Sequence, residues 1–197
     1  MENKKLEIKR KIFHVIGGLL LIFFIYLAII KLPIIAALIV LILAISLLSR
    51  KAEIPLINIF LKNFERPYNI RTFPARGVFT FLSGAFLSLL LFEKNTALAA
   101  LMILTVGDAV SSVSSLYFKK TKNRKTIYGT ILAIIFSFFA AMIFIDYKRA
   151  LIGSIIGMLV ESIELRVYKG IVIDDNITVP LASGFVIYLA GLILFGG

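Results

Sequence analysis

The residue whose position most needs a chemical explanation is Asp108. It follows Gly107 inside an otherwise apolar run covering residues 96–118. A carboxylate in such a run is costly unless it is paired, metal-bound or solvated by a cavity, so chemistry is its first reading. Ser111, Ser112 and Ser115 follow at i+3, i+4 and i+7, which on a helix puts them on the Asp108 face. The bland alternative is a buried Asp satisfied by a Lys or by a helix N-terminus. The serine stripe leads to Lys119, Lys120, Lys122, Arg124 and Lys125. Such a run is often just a solvated loop, or one drawn to anionic headgroups. Here it continues into Lys125-Thr126 and then Gly129-Thr130, at the start of the next apolar run. A cation, a hydroxyl and a small residue at a helix N-terminus make a polyphosphate cradle, because free backbone N–H groups point at the ligand. The Gly-x4-Gly-Lys-Ser/Thr spacing of a P-loop is absent.

Two further clusters bear on the same chemistry. Arg10, Lys11 and His14 sit about one turn apart where a helix enters an apolar run, and Gly17 with Gly18 extends that face so that another backbone or a ligand can approach. Lys and Arg in this position also serve as topology anchors, and a lone His is as often satisfied in a core as used. Glu161 and Glu164 lie a turn apart, and Asp174-Asp175-Asn176 precede Thr178 and Pro180. These carboxylates either neutralise the basic loop or hold Mg²⁺ for a bound nucleotide. Mg²⁺ takes one or two carboxylates together with phosphate oxygens and waters. Read with Asp108 and the cationic loop, the pattern favours phosphoryl chemistry, with Asp108, Glu161, Asp174 and Asp175 as candidate metal ligands.

Elements buried in a bilayer must position these groups. The chain has 197 residues, 60% of them hydrophobic and 17% charged, with a mean hydropathy of +0.99. A soluble domain carries roughly a quarter charged residues, so the composition argues against a water-soluble globule. With no Cys and a single His, disulfides, thiolate chemistry and a multi-His zinc site are excluded as well. The net charge of +11 on so apolar a chain points to a membrane and not to nucleic acid. Apolar runs cover residues 13–30, 33–48, 77–92, 96–118, 127–145, 150–165 and 177–195. Each is near the length of about 17–25 residues that crosses a bilayer as a helix; the run 150–165, with Glu161 and Glu164 inside it, reads either as a crossing or as a half-span or re-entrant segment. The first is too long for a cleaved signal core and has no small-x-small site after it, so it reads as a retained span. Residues 50–76, interrupted by Pro55, Pro67 and Pro74, read as a segment lying on the membrane surface. Gly153-x3-Gly157 reads as a helix-packing face without chemistry.

Of the 22 Lys and Arg, all but Lys31, Lys94, Lys148 and Arg149 fall in alternate connections. By the positive-inside rule those connections are cytoplasmic. The expectation is therefore an all-α, polytopic integral membrane bundle of about seven helices, a single catalytic domain over residues 1–197 with its N-terminus cytoplasmic. Every candidate functional residue then faces the cytoplasm, from a cell or ER-type membrane. A transport path would need polar residues in the outer halves of the spans, and the sequence offers almost none.

The order Arg10-Lys11-x2-His14-x2-Gly17-Gly18, Gly107-Asp108-Ala109, Lys125-Thr126-x2-Gly129-Thr130, Glu161-Ser162 and Asp174-Asp175-Asn176-x-Thr178-x-Pro180 resembles the CTP-dependent lipid kinases. These include dolichol kinase, phytol kinase and the CTP-dependent diacylglycerol kinase, and are related to the phosphatidate cytidylyltransferases. The resemblance runs from residue 10 to about residue 190 and implies transfer of the γ-phosphate of CTP to a membrane lipid alcohol with Mg²⁺. It implies that Arg10, Lys11 and Asp108 are required for activity and that Lys125, Thr126 and Gly129 lie on the nucleotide side. The residues themselves add His14 as a catalytic candidate, Lys119, Lys120, Ser111 and Ser112 as nucleotide-binding candidates, and Gly107 and Asn176 as further site residues. Two departures stand out. Ser115 occupies the place of a usual Gly seven residues after the motif Asp, and the His-Gly-Gly and Asp-Arg-x-Asp signature of the cytidylyltransferases is absent. The second favours a kinase over a CDP-lipid synthase.

Overall fold

The computed structural model describes residues 2–51, 55–117, 126–163 and 173–195. Among them are nine helices and no strand: α1 Glu2–Tyr26, α2 Leu32–Lys51, α3 Pro55–Phe64, α4 Pro67–Thr72, α5 Arg76–Leu91, α6 Lys94–Tyr117, α7 Ile127–Ala141, α8 Tyr147–Ser162 and α9 Asp175–Phe195. Each of the seven expected apolar runs contains a helix, and two short helices, α3 and α4, lie within residues 50–76.

Local chemistry sets the boundaries. Pro67 occupies the first turn of α4, where its missing N–H costs nothing. Thr126 caps α7 by accepting from the Gly129 amide at 3.2 Å, and the Asp146 carboxylate caps α8 by accepting from the Lys148 and Arg149 amides. Ala28 and Ala75 carry φ of 58° in the turns before α2 and α5. The first of these ends α1 at Tyr26, four residues inside the apolar run that continues to Ile30.

That turn exposes a difference from the expected seven crossings. Among the described residues only α2, α6 and α9 are long and apolar enough to cross a membrane. The helices α5 and α7 are apolar but have 16 and 15 residues. In α1 the charged first turns and the Ala28 turn leave a short apolar stretch, and α8 stops at Ser162. Hydropathy counted turn and cap residues as part of the runs, so the sequence overstated the lengths of the helices.

The bundle is organised around α6. Residues 97–101 of this helix are fully buried, and 72% of its crossing stretch is buried, against 11% for α2. Around it pack α1, α5, α7, α8 and α9. Glycines set the close approaches: a Cβ on Gly153 would stand 2.6 Å from Ile187, and one on Gly157 would stand 2.2 Å from the Ser183 hydroxyl, so α8 rests on α9 through the Gly-x3-Gly face. Outward, the helices present large apolar side chains such as Val40, Phe139 and Ile193. So much exposed apolar surface exceeds what a protein in water tolerates and is the surface of a membrane protein.

Candidate active site

Asp108 lies just past the middle of α6, and its side chain is 9% exposed. Lys11 of α1 donates from Nζ to Asp108 Oδ2. His14, one turn further along α1, brings Nε2 to 3.8 Å from the same oxygen. The imidazole is held edge-on against the Phe81 ring of α5, with centroids 5.0 Å apart, and its buried Nε2 has no hydrogen-bond partner among the described residues. On α6 itself the Ser112 hydroxyl approaches Asp108 Oδ1 at 3.4 Å. Asp108 is therefore satisfied by a lysine, and that lysine belongs to the basic cluster of α1. Gly18 allows this approach, since a Cβ there would stand 2.6 Å from Thr105 of α6.

The serine stripe divides its work. Ser111 donates to the Glu161 carboxylate of α8 at 3.2 Å, and Glu161 is 2% exposed. Ser115 turns back on its own helix and donates to the Ser111 carbonyl at 2.8 Å. Its hydroxyl thus has a use inside α6 at the place where the resembling family has Gly.

Asp174, just ahead of α9, meets Arg76 at the start of α5, Nε to Oδ2 at 3.7 Å, and His14 lies in the field of both Asp108 and Asp174. Arg76 was visible in the sequence only as one more cation of a basic connection; what could have singled it out is its place beside Pro74 at the head of an apolar run. Asn176 donates to the Gly77 carbonyl at 3.3 Å and to Thr80 at 3.0 Å. Pro180 removes the amide that would bond the Asn176 carbonyl. That carbonyl instead faces Gly84, where a Cβ would stand only 2.0 Å away. Asn176 is thus the clasp between α9 and α5, which sets the position of Asp174. Asp175 lies in the first turn of α9.

Other expected residues lie apart from this constellation. Arg10 donates from Nη1 to both Glu7 oxygens at 2.9 Å, and Glu7 also accepts from Arg66 Nε at 3.1 Å. Burial raises the Glu7 pKa, but the Arg66 hydrogen bond and the charges of Arg10, Arg66 and Lys11 outweigh it and hold the carboxyl below its ordinary value. Arg10 thus ties α1 to the surface segment, reinforced by the Phe13–Phe64 ring contact at 5.2 Å. Gly107 is needed for packing, because a Cβ there would stand 2.3 Å from the Met158 sulfur of α8. Gly129 sits against α6, 3.4 Å from the Ser111 carbonyl to a Cβ built on it. Lys119, Lys120, Lys125 and Glu164 lie outside the described residues.

The contacts joining α1, α5, α6, α7, α8 and the start of α9 all fall at one end of the bundle. A cleft of about 200 Å³ lies at the other end, lined by Ile25, Ala28, Ile30, Lys31, Leu32, Leu89 and Lys94; it offers no carboxylate and no part of the constellation. Among the described residues no three His, Asp or Glu gather as a metal cage. Asp108, Glu161 and Asp174 are hard oxygen donors of the kind Mg²⁺ takes, and in this structure they are engaged by Lys11, Ser111 and Arg76 respectively.

No family model matches the chain, and no solved structure matches it. It is similar to an uncharacterized protein of Rickettsia prowazekii (strain Madrid E), at 26% identity over 197 residues, covering 92% of this chain and 93% of the relative.

Proposed function

We propose that this protein is a membrane-embedded, CTP-dependent kinase that phosphorylates a lipid alcohol: a polyprenol or phytol-like isoprenoid, or diacylglycerol. The observation that carries the reading is the buried Asp108 carboxylate paired with Lys11, beside His14 and the Arg76–Asp174 pair. A transferred phosphoryl group demands this mixture, with cations to neutralise developing charge and a carboxylate to take a proton. The order of motifs shared with the CTP-dependent lipid kinases supports the same reading.

In this mechanism the acceptor hydroxyl attacks the γ-phosphorus in line. The new oxygen–phosphorus bond forms as the bond to the β-phosphate oxygen breaks, and CDP leaves. Asp108, paired with Lys11, is the carboxylate placed to accept the hydroxyl proton. Lys11 and Arg76, with Lys119, Lys120 and Lys125 of the basic loop, neutralise the phosphates. Glu161 and Asp174 would hold Mg²⁺, which would supply positive charge against the phosphates. A seven-segment arrangement with the N-terminus and the site on the cytoplasmic side is part of this proposal. Its support is the alternation of basic connections; the short segments would be accommodated by snorkelling Lys and Arg and local bilayer thinning.

Purified protein in mixed micelles with Mg²⁺ and a panel of lipid alcohols tests the proposal, with CTP labelled at the γ-phosphate in one reaction and at the α-phosphate, with phosphatidate, in the other. Lipid labelled only from the γ position is the expected result. Label arriving from the α position would identify a CDP-lipid synthase and overturn it, as would absence of label from every acceptor.

A further inference from the structure

Lys31 and Lys94 stand together at the end of the bundle remote from Asp108. Of the 22 Lys and Arg, only these two, Lys148 and Arg149 fall outside the basic connections. Arg149 is bonded to Asp146, and Lys148 lies over the Tyr147 ring. Lys31 and Lys94 instead share the rim of the cleft of about 200 Å³. Ala28, with φ of 58°, turns the chain there, and Ile25, Ile30, Leu32 and Leu89 make the apolar walls. The Lys94 ammonium donates to the Tyr26 carbonyl at 3.0 Å and lies 5.7 Å from the centre of the Tyr26 ring. That contact fixes it at the rim and uses one of its three donors. Lys31 is exposed, and none of the described carboxylates is bonded to it. Glu93, next to Lys94 in sequence, is exposed and stands outside the lining.

An apolar slot with two cations at its mouth and no carboxylate in its walls is complementary to an amphiphile with an anionic head. Its level in the membrane narrows the class. Tyr26 and Tyr147 are exposed at this end, and Tyr26 meets Phe144 at 6.0 Å between ring centres. Aromatic side chains of this kind gather at the membrane–water interface. Ammonium groups at that level meet lipid phosphates, and basic pockets between helices hold anionic headgroups. The cleft is also smaller than the roughly 300–1,000 Å³ that encloses a small molecule. Its occupant is therefore enclosed only in part, and the remainder has to be at ease in hydrocarbon. A phospholipid meets that condition and a free anion does not.

We infer that this cleft binds one anionic phospholipid from the leaflet at this end of the bundle. Its phosphate lies between Lys31 and Lys94, and the first carbons of an acyl chain lie against Ile25, Ile30 and Leu89. The lipid fastens the α1–α2 turn to the start of α6. This site is separate from the Asp108 constellation and does not depend on phosphoryl transfer.

The test uses the full chain in detergent micelles, with native mass spectrometry and thermal unfolding as readouts. Phosphatidylglycerol and phosphatidylcholine with the same acyl chains are titrated in turn. One phosphatidylglycerol per chain should be retained and should raise the unfolding temperature, with phosphatidylcholine retained at least about fivefold less. Lys31→Gln should lower phosphatidylglycerol retention about fivefold and leave the lipid-free unfolding temperature unchanged. Lys148→Gln removes the same charge at the same end but outside the cleft, and should retain the lipid as the wild type does. In the wild type, phosphatidylglycerol with a diazirine near the glycerol should crosslink to Ile25, Ile30 or Leu89, competed by phosphatidylglycerol and not by phosphatidylcholine. Glycerol phosphate, the head without chains, should leave the unfolding temperature unchanged.

Equal retention of the two lipids, equal losses in the two lysine variants, or crosslinks away from the cleft would overturn the inference. Stabilisation by glycerol phosphate as strong as that by phosphatidylglycerol would identify a site for free anions and overturn it as well.

Discussion

Lys11 and Asp108 are 97 residues apart in sequence and meet at the buried end of the bundle, amine to carboxylate. The two side chains are 19% and 9% exposed. Removing one member of such a pair costs about 3–5 kcal/mol, because the other charge remains buried without its partner. Asp108→Asn should therefore reduce phosphoryl transfer at least about 100-fold, the scale of a lost general base, and also lower the unfolding temperature in detergent. Lys11→Met should do the same. The double variant should recover much of the stability and none of the activity, which separates the chemical role from the structural one. Recovery of activity in the double variant would mean that the pair is structural.

Glu161 is the second buried carboxylate of the site and accepts from Ser111. Loss of a hydrogen bond to a buried polar group costs about 1–3 kcal/mol, so Ser111→Ala should destabilise by that amount. Glu161→Gln keeps the shape and loses the charge. It should raise the Mg²⁺ concentration needed for half-maximal transfer without changing the dependence on acceptor alcohol. An unchanged Mg²⁺ titration would remove Glu161 from the metal site.

The Glu7–Arg10–Arg66 cluster fastens the surface helices to α1 and predicts a pH dependence. The Glu7 carboxyl titrates lower in the folded protein than in the unfolded chain. Its contribution is fully present above the unfolded glutamate value, about 4.3, and is lost as pH falls through the lower folded value. Because Arg66 is more than half exposed, solvent screening limits the effect to about 0.2–1 kcal/mol. Hydrogen exchange of α3 and α4 should accelerate as the pH is lowered through this window. In Glu7→Gln it should be faster at neutral pH and lose that dependence.

Gly84 and Gly17 should respond oppositely to the same substitution. Gly84→Ala places a methyl group against the Asn176 carbonyl, where backbone must move, and should cost at least about 1–3 kcal/mol. Gly17→Ala meets nothing and replaces the poorer helix former, so it should gain up to about 1 kcal/mol. Thermal unfolding of the two variants side by side reads both signs.

Much of this molecule is decided by sequence alone. Apolar runs separated by Pro, Gly and charge dictate helices, and the described residues form them. A carboxylate with serines at i+3, i+4 and i+7 dictates one polar face on one helix, and Asp108, Ser111 and Ser112 share it. Periodicity carries this information because it is local. It says which side of a helix a residue occupies, not what that side meets.

What tertiary structure decided is therefore the pairing. Arg10 and Lys11 are adjacent in sequence, yet one bonds Glu7 and the other Asp108, because consecutive residues on a helix point about 100° apart. Arg76 joins the site through Asp174 only because Asn176 clasps α9 to α5 across nearly 100 residues of chain. Gly107, adjacent to a site motif, is held small by the contact of α6 with α8. The left-handed Ala28 ends α1 inside an apolar run that hydropathy could not divide. Hydrophobicity sums over residues without regard to backbone direction, whereas helix ends, crossings and ion pairs depend on where the chain turns and which faces come together.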